Sequence, residues 1–287
     1  MNNAGELPLL YISCMIVAAI LALALSVFGL IPISFMSLEW LVASFATLIL
    51  FIVWHCVHDR GWKRCLTGLP ILFVLPFVAE VYGVNSGHLF GHYRYTDALG
   101  TRLFGVPFII GVAWVLILYA SAHLASFLVS PAPYIEQDDS RWRKFASQAG
   151  LAGVGAFAAT AWDLMMDPVA VGAGWWRWHG GGAYTPHVEG GVPISNFLGW
   201  WIVAFLCLFL YQSLQPASTQ NGRRNLYLGA IILYLYLFLA GLAMSLLALK
   251  RSDVALIGAM SMGPFIVAAL CWMGTMDENA SPKRKQP

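Results

Sequence analysis

The stretch AWDLMMDPVAVG, Ala161–Gly172, decides how this chain is read. It closes a long apolar run, roughly 146–170, and yet it holds two aspartates, Asp163 and Asp167. A run of about 20 apolar residues is the length of a helix that crosses hydrocarbon. A charged Asp at the centre of such a helix costs about 2.5–3.5 kcal/mol on insertion scales, so it faces protein or water and usually has a function. The pair therefore predicts both a membrane helix and a chemical site on it.

Composition extends the first half of that reading to the whole chain. Of 287 residues, 59% are hydrophobic and 10% are charged, with a mean hydropathy of +0.71. A soluble domain is about 25% charged. The apolar runs are long and unbroken, whereas a barrel would show alternating segments of about ten residues. The expected fold is all-α: a polytopic integral membrane helical bundle, since helices satisfy their own backbone in lipid. Eight spans are predicted, at 9–31, 39–58, 68–84, 104–129, 146–170, 193–213, 226–249 and 253–274. The third carries Pro70 and Pro76.

Lys and Arg set the orientation. One side would hold Arg60, Lys63, Arg64, Arg141, Arg143, Lys144, Arg223, Arg224, Lys283, Arg284 and Lys285. The other would hold only Arg94, Arg102, Arg177, Lys250 and Arg251. This bias puts both termini in the cytoplasm of a cell with the protein in its inner, cytoplasmic membrane. Residues 1–274 are read as one transmembrane domain and 275–287 as a disordered basic tail. MNNAGE lacks the basic region of a signal peptide, so the first run is read as a retained span. The five cysteines are scattered, which suggests neither disulfides nor a metal site. No Gly-rich phosphate loop or nucleic-acid motif is present; the bilayer is the expected surrounding, and the oligomeric state is open.

Two loops fall on the extracytoplasmic side, 85–107 and 172–193. Both are rich in Gly, His and aromatics, and both end in GVP at the start of a span. Between them they flank the acids. Asp163 and Asp167, four apart, share one helix face with Cβ atoms roughly 6 Å apart. Burial, a neighbouring carboxylate and the negative pole of a helix C-terminus all oppose ionisation. At least one carboxyl is expected to stay protonated at neutral pH. Asp167 precedes Pro168, which is expected to end or kink the helix. Glu80 adds a third acid in a span, and Asp97 a fourth near the interface. Trp162, Trp175, Trp176, Trp178, Trp200, Trp201, Tyr82, Tyr93 and Tyr95 surround them in sequence. Aromatic faces stabilise cations. Protonated acids beside π-faces suit carbocation chemistry on an alkene. The plainer readings are an interfacial aromatic belt and an ion pair of Asp167 with Arg94, Arg102 or Arg177.

His88 and His92 form an H-x3-H pattern, a metal spacing on a helix. No second such pair exists among the seven histidines. The pair is read as pocket lining or a base that handles water, with no metal. His55 and His58 are read as interfacial, and His123 as a satisfied core residue. A D-x3-D motif also occurs in membrane prenyltransferases, but those need two such motifs. No lysine lies within a span to form a retinal Schiff base.

Three blocks carry a resemblance: GHYRYTDALGTRLFGVPFIIGVAW (Gly91–Trp114), AFAATAWDLMMDPVAVGAGWWRW (Ala156–Trp178) and GGVPISNFLGWWIVAF (Gly190–Phe205). In order and spacing they resemble the family of carotenoid biosynthesis membrane proteins, which includes the carotenoid 1′,2′-hydratases of the bisanhydrobacterioruberin hydratase type. The likeness covers roughly 80–205. The segment HGGGAYTPHVEGG, which includes His179 and Glu189, departs from it and carries no assigned role. The resemblance implies a cofactor-independent hydro-lyase that adds water to the terminal C1=C2 bond of an acyclic carotenoid, giving a tertiary alcohol. Under it, Asp163 or Asp167 donates the proton. Glu80, Asp97 or His92 orients and deprotonates the water, with His88 lining the pocket. Trp162, Trp176, Tyr93 and Tyr95 shelter the cation, and Asn196 holds the water. Two other classes stay open: a non-catalytic carotenoid- or lipid-binding protein, and a proton-coupled transporter.

Overall fold

A computed structural model describes residues 37–129, 141–214 and 224–280. The first predicted span, 9–31, lies outside these residues, as does the tail from 281. Among the described residues, seven helices are long and apolar enough to cross a membrane. They match the other seven predicted spans. They are α1 (Leu38–Arg60), α2 (Trp62–Ser86), α3 (Phe108–Val129), α4 (Arg141–Gly172), α5 (Ile194–Leu214), α6 (Arg224–Ala243) and α7 (Ser252–Ala280). The chain is a multi-pass membrane protein of the all-α class.

The boundaries differ from expectation for local reasons. Only Gly61, at φ 83°, separates α1 from α2, and α2 therefore starts at 62, not 68. Helix α3 starts at 108, not 104, because β2 (Arg102–Leu103) and β3 (Val106–Pro107) first form a tight hairpin. A π turn, Met244–Ala248, prolongs α6 towards α7. Helix α7 continues to Ala280, so the tail expected from 275 begins as helix.

Helix α3 is the centre of the bundle, with Leu116 through Ala120 almost wholly buried. Helices α2, α3, α4 and α5 form a ring: α2 and α4 each pack on α3 and α5. Small residues let these backbones approach. A Cβ at Gly155 of α4 would lie 2.6 Å from Leu208 Cδ1 of α5. The bundle's exterior carries exposed Leu50, Val78, Leu206 and Val267, as a lipid-facing surface should.

One feature of the fold has no counterpart in the predicted spans. Strand β1 (Tyr93–Tyr95) pairs antiparallel with β4 (Trp176–Trp178), in the register Tyr93↔Trp178, Arg94↔Arg177 and Tyr95↔Trp176. Side chains alternate across a strand. Tyr93, Tyr95 and Trp178 are buried beneath this ribbon, while Arg94 and Arg177 point away. The ribbon ties the two Gly- and aromatic-rich loops together at the end of the bundle where α2 and α4 finish and α3 and α5 begin.

Candidate active site

Beneath the ribbon lies a small, partly enclosed cavity of about 40 Å³. Helix α2 contributes Glu80, α4 contributes Trp162, Asp163 and Asp167, and α5 contributes Asn196 and Trp200. Tyr93, Tyr95, Trp176 and Trp178 reach in from the ribbon. The sequence-named residues Asp163, Asp167, Glu80, Trp162, Trp176, Tyr93, Tyr95 and Asn196 thus line one space.

Asp163 and Asp167 are 1% and 2% exposed. One turn apart, they present their carboxyls side by side. The Asn196 side-chain amide donates to Asp163 Oδ2 at 3.1 Å and to Asp167 Oδ2 as well. Two carboxyl oxygens gathered on one amide nitrogen are close neighbours, and like charges so placed disfavour double ionisation. Trp176 Nε1 donates to Asp167 Oδ1 at 3.2 Å. Asn196 therefore holds the acids with its amide nitrogen, and that nitrogen is not spent on water.

The ion-pair reading of Asp167 fails on geometry. Arg102 pairs with Asp97 at 2.5 Å, Arg177 pairs with Glu189 at 3.3 Å, and Arg94 points outward from the ribbon. Among the described residues, no Lys or Arg contacts Asp163, Asp167 or Glu80.

Glu80 is held quite differently. Tyr93 and Tyr95 hydroxyls donate to Oε2, the latter at 2.8 Å, and Trp114 Nε1 donates to Oε1 at 2.9 Å. Burial, and then the nearby Glu80, push both phenols well above their ordinary range, so they stay protonated donors. Aromatic walls complete the space. Trp114 and Trp200 stack with centroids 3.7 Å apart and planes at 15°. Trp162 lies 5.9 Å from Trp200.

Asp97, His88 and His92 do not join the cavity. Asp97 is fully solvated on its ion pair with Arg102. Helix α2 ends at Ser86, and Gly87 turns left-handed at φ 72°, so the two histidines are not on a helix and their spacing no longer implies a shared face. His88 is exposed and bonds Tyr82 at 3.0 Å. The exposed His92 ring folds over Gly87. No three His, Cys, Asp or Glu side chains gather as metal ligands among the described residues.

Pro168 does not end α4, which runs through it for another turn, to Gly172. Proline lacks the N–H that would bond the carbonyl four residues back, here Leu164. That carbonyl accepts instead from the Tyr184 hydroxyl at 2.9 Å. Backbone freed inside a membrane needs such a substitute partner. Tyr184 belongs to the segment whose role the sequence left open. His187 in the same segment bonds Asp253 at 2.6 Å, and Arg251 holds Asp253 at 2.7 Å. The segment is thus moored to α4 and to the start of α7.

Sequence reasoning missed Trp114 and undervalued Trp200 and Tyr184. A signal for Trp114 did exist. A buried indole N–H seeks a partner, and Trp114 lies as far into α3 as Glu80 lies from the end of α2. Antiparallel neighbours place such residues at one depth.

A family model described as carotenoid biosynthesis protein matches residues 35–264. No curated protein and no solved structure matches.

Proposed function

Since the chain belongs to the carotenoid biosynthesis protein family, with a role in carotenoid biosynthesis, we propose that it is a carotenoid hydratase. Its reaction adds water to the terminal C1=C2 bond of an acyclic carotenoid and leaves a tertiary 1-hydroxy end. One observation carries this reading. Two adjacent buried carboxyls meet only neutral donors, in a cavity walled by indole and phenol rings.

Each step finds a group. The Asp163–Asp167 pair shares a proton and gives it to C2, with Asp163 favoured because it lies deeper along α4. The π electrons form the new C–H bond and leave a tertiary cation at C1. Trp162, Trp176, Tyr93 and Tyr95, joined by Trp114 and Trp200, present ring faces and edges to that cation; an indole face is the best of these for stabilising positive charge. Water adds to C1, and Glu80 takes its surplus proton. Glu80 is the base favoured by position, because Asp97 and His92 lie outside the cavity. A polyene is as long as the roughly 30 Å hydrocarbon core, so its body stays in lipid-like surroundings while one end reaches the acids.

The test is expression in a bacterium that accumulates an acyclic C40 carotenoid, followed by pigment mass analysis. The expected product is heavier by one water for each end that reacts. Unchanged pigment would overturn the reading. If that pigment also co-purified with the protein, a binding protein would take its place.

A further inference from the structure

The hydratase reading leaves open from which sides proton and water arrive, and the ring of four helices bears on that. Helices α2 and α4 both pack on α3 and α5, and so stand on one diagonal of the ring. Glu80 is on α2, and Asp163 and Asp167 are on α4. Glu80 lies six residues before the end of its helix and Asp167 five, so they sit about 9 and 7.5 Å below the helix ends at 1.5 Å per residue. The other diagonal, α3 to α5, is bridged at the same depth by the Trp114–Trp200 stack. The acids therefore stand on the two helices of one diagonal and the stacked indoles on the two helices of the other.

The two acidic walls are also unlike. On α4 two carboxyls share the amide of Asn196. On α2 a single carboxyl accepts from three donors, two of them on the ribbon that covers the cavity. The ribbon reaches both walls, through Tyr93 and Tyr95 to Glu80 and through Trp176 to Asp167.

We propose that this protein adds water in the anti sense, with proton and hydroxyl entering opposite faces of the terminal alkene. The inference rests on the hydratase reading above. The carboxylic acid on α4 releases a proton to one face of C2, and the π pair becomes the C–H bond. A water lone pair closes on the cation at C1 from the opposite face, and the oxonium proton passes to the Glu80 carboxylate. That proton returns to the α4 pair through cavity water once product leaves. The balance is one alkene plus one water to one alcohol, with no change of oxidation state overall.

The experiment uses the full-length protein in membranes and an acyclic polyene with ¹³C in one terminal methyl, cis or trans to the chain. Turnover in D₂O makes C2 a CHD centre and C1 a labelled carbinol, and NMR of a derivative reads their relative configuration. The expected product is the single diastereomer of anti addition, inverted when the label moves to the other methyl. A single syn diastereomer would overturn the inference while leaving the hydratase intact, and so would an equal mixture. Absence of any water uptake would remove the hydratase reading itself, and this inference with it.

Discussion

Polar residues gather at both ends of this bundle, in opposite ways. At the ribbon end, Glu80, Asp163 and Asp167 bond amide, indole and phenol groups. At the far end, Asp59 of α1 meets cationic or protonatable groups: Arg60 Nε at 3.3 Å and His123 Nε2 at 3.4 Å. The Arg60 guanidinium also lies 5.0 Å over the Tyr211 ring. His55 Nδ1 and the Tyr119 hydroxyl lie 2.6 Å apart. The two ends share helices α3 and α5; Tyr211 is eleven residues beyond Trp200, roughly 16 Å along the axis. An acid beside a guanidinium is neutralised in place and ties helices together. An acid pair held only by neutral donors keeps an exchangeable proton. The difference separates a structural polar cluster from one fit for chemistry.

The strongest way to break that contrast is Asp163→Asn. The Asn side chain has nearly the same size but no proton to give. A general acid contributes about 10²–10⁴-fold, so hydration should fall by at least 10²-fold. Helical circular dichroism and the yield of membrane-inserted protein should stay unchanged. Near-wild-type turnover would take the acid role away from Asp163.

Asp59→Ala should do the reverse. The side chains of Asp59, Arg60 and His123 are 14%, 4% and 4% exposed. Removing one partner of a buried pair typically costs about 3–5 kcal/mol, because the charge left behind is uncompensated. The thermal midpoint in detergent should drop clearly. Hydration per folded molecule should stay within about twofold, since the change is remote from the cavity and independent sites add. If Asp59→Ala removed turnover as Asp163→Asn does, the far cluster would belong to the chemistry and the contrast would be wrong.

How much of this could be read beforehand follows the same divide. Spans are legible because hydrocarbon demands long apolar helices. The acids are legible because a carboxyl in a span is costly and is seldom placed there without a role. Asp163, Asp167 and Glu80 stand out in the sequence for that reason, Asn196 through the resemblance, and all four line one cavity. The ribbon was not, because YRY and WRW are too short for alternation to stand out. Its pairing decides that Tyr93 and Tyr95 reach Glu80 while Asp97 stays in water. His88 and His92 misled because a helical spacing was applied past the glycine that ends α2. The burial of His55 was hidden for another reason. It lies near the end of a predicted span and reads as interfacial, yet it is 1% exposed because α3 covers it with Tyr119 and α6 packs Gly229 against its ring. Such packing is long-range, and no local pattern announces it. His123, by contrast, is the satisfied core residue it was read to be, bonded to the Tyr119 carbonyl and Asp59.

The smallest effect expected is at the backbone. Pro168 leaves the Leu164 carbonyl without its helical donor, between the two aspartates in sequence, and Tyr184 supplies one. Tyr184→Phe keeps the ring, with its edge contact to Phe197 at 4.7 Å, and deletes only the hydroxyl. An unsatisfied acceptor costs about 1–3 kcal/mol when fully buried; this bond is part-buried, so the loss would be felt locally and only weakly in the global midpoint. Hydrogen exchange should therefore speed up in residues 180–191 and in the last turn of α4, with the far end of α4 unchanged. Hydration should drop by a few-fold at most, as the Asp167 carboxyl gains freedom on a looser turn. Exchange rates unaltered around 180–191 would mean that the ion pairs at Asp253 and Glu189 hold the loop without the Tyr184 hydroxyl, and that the helix at the acids tolerates its proline without help.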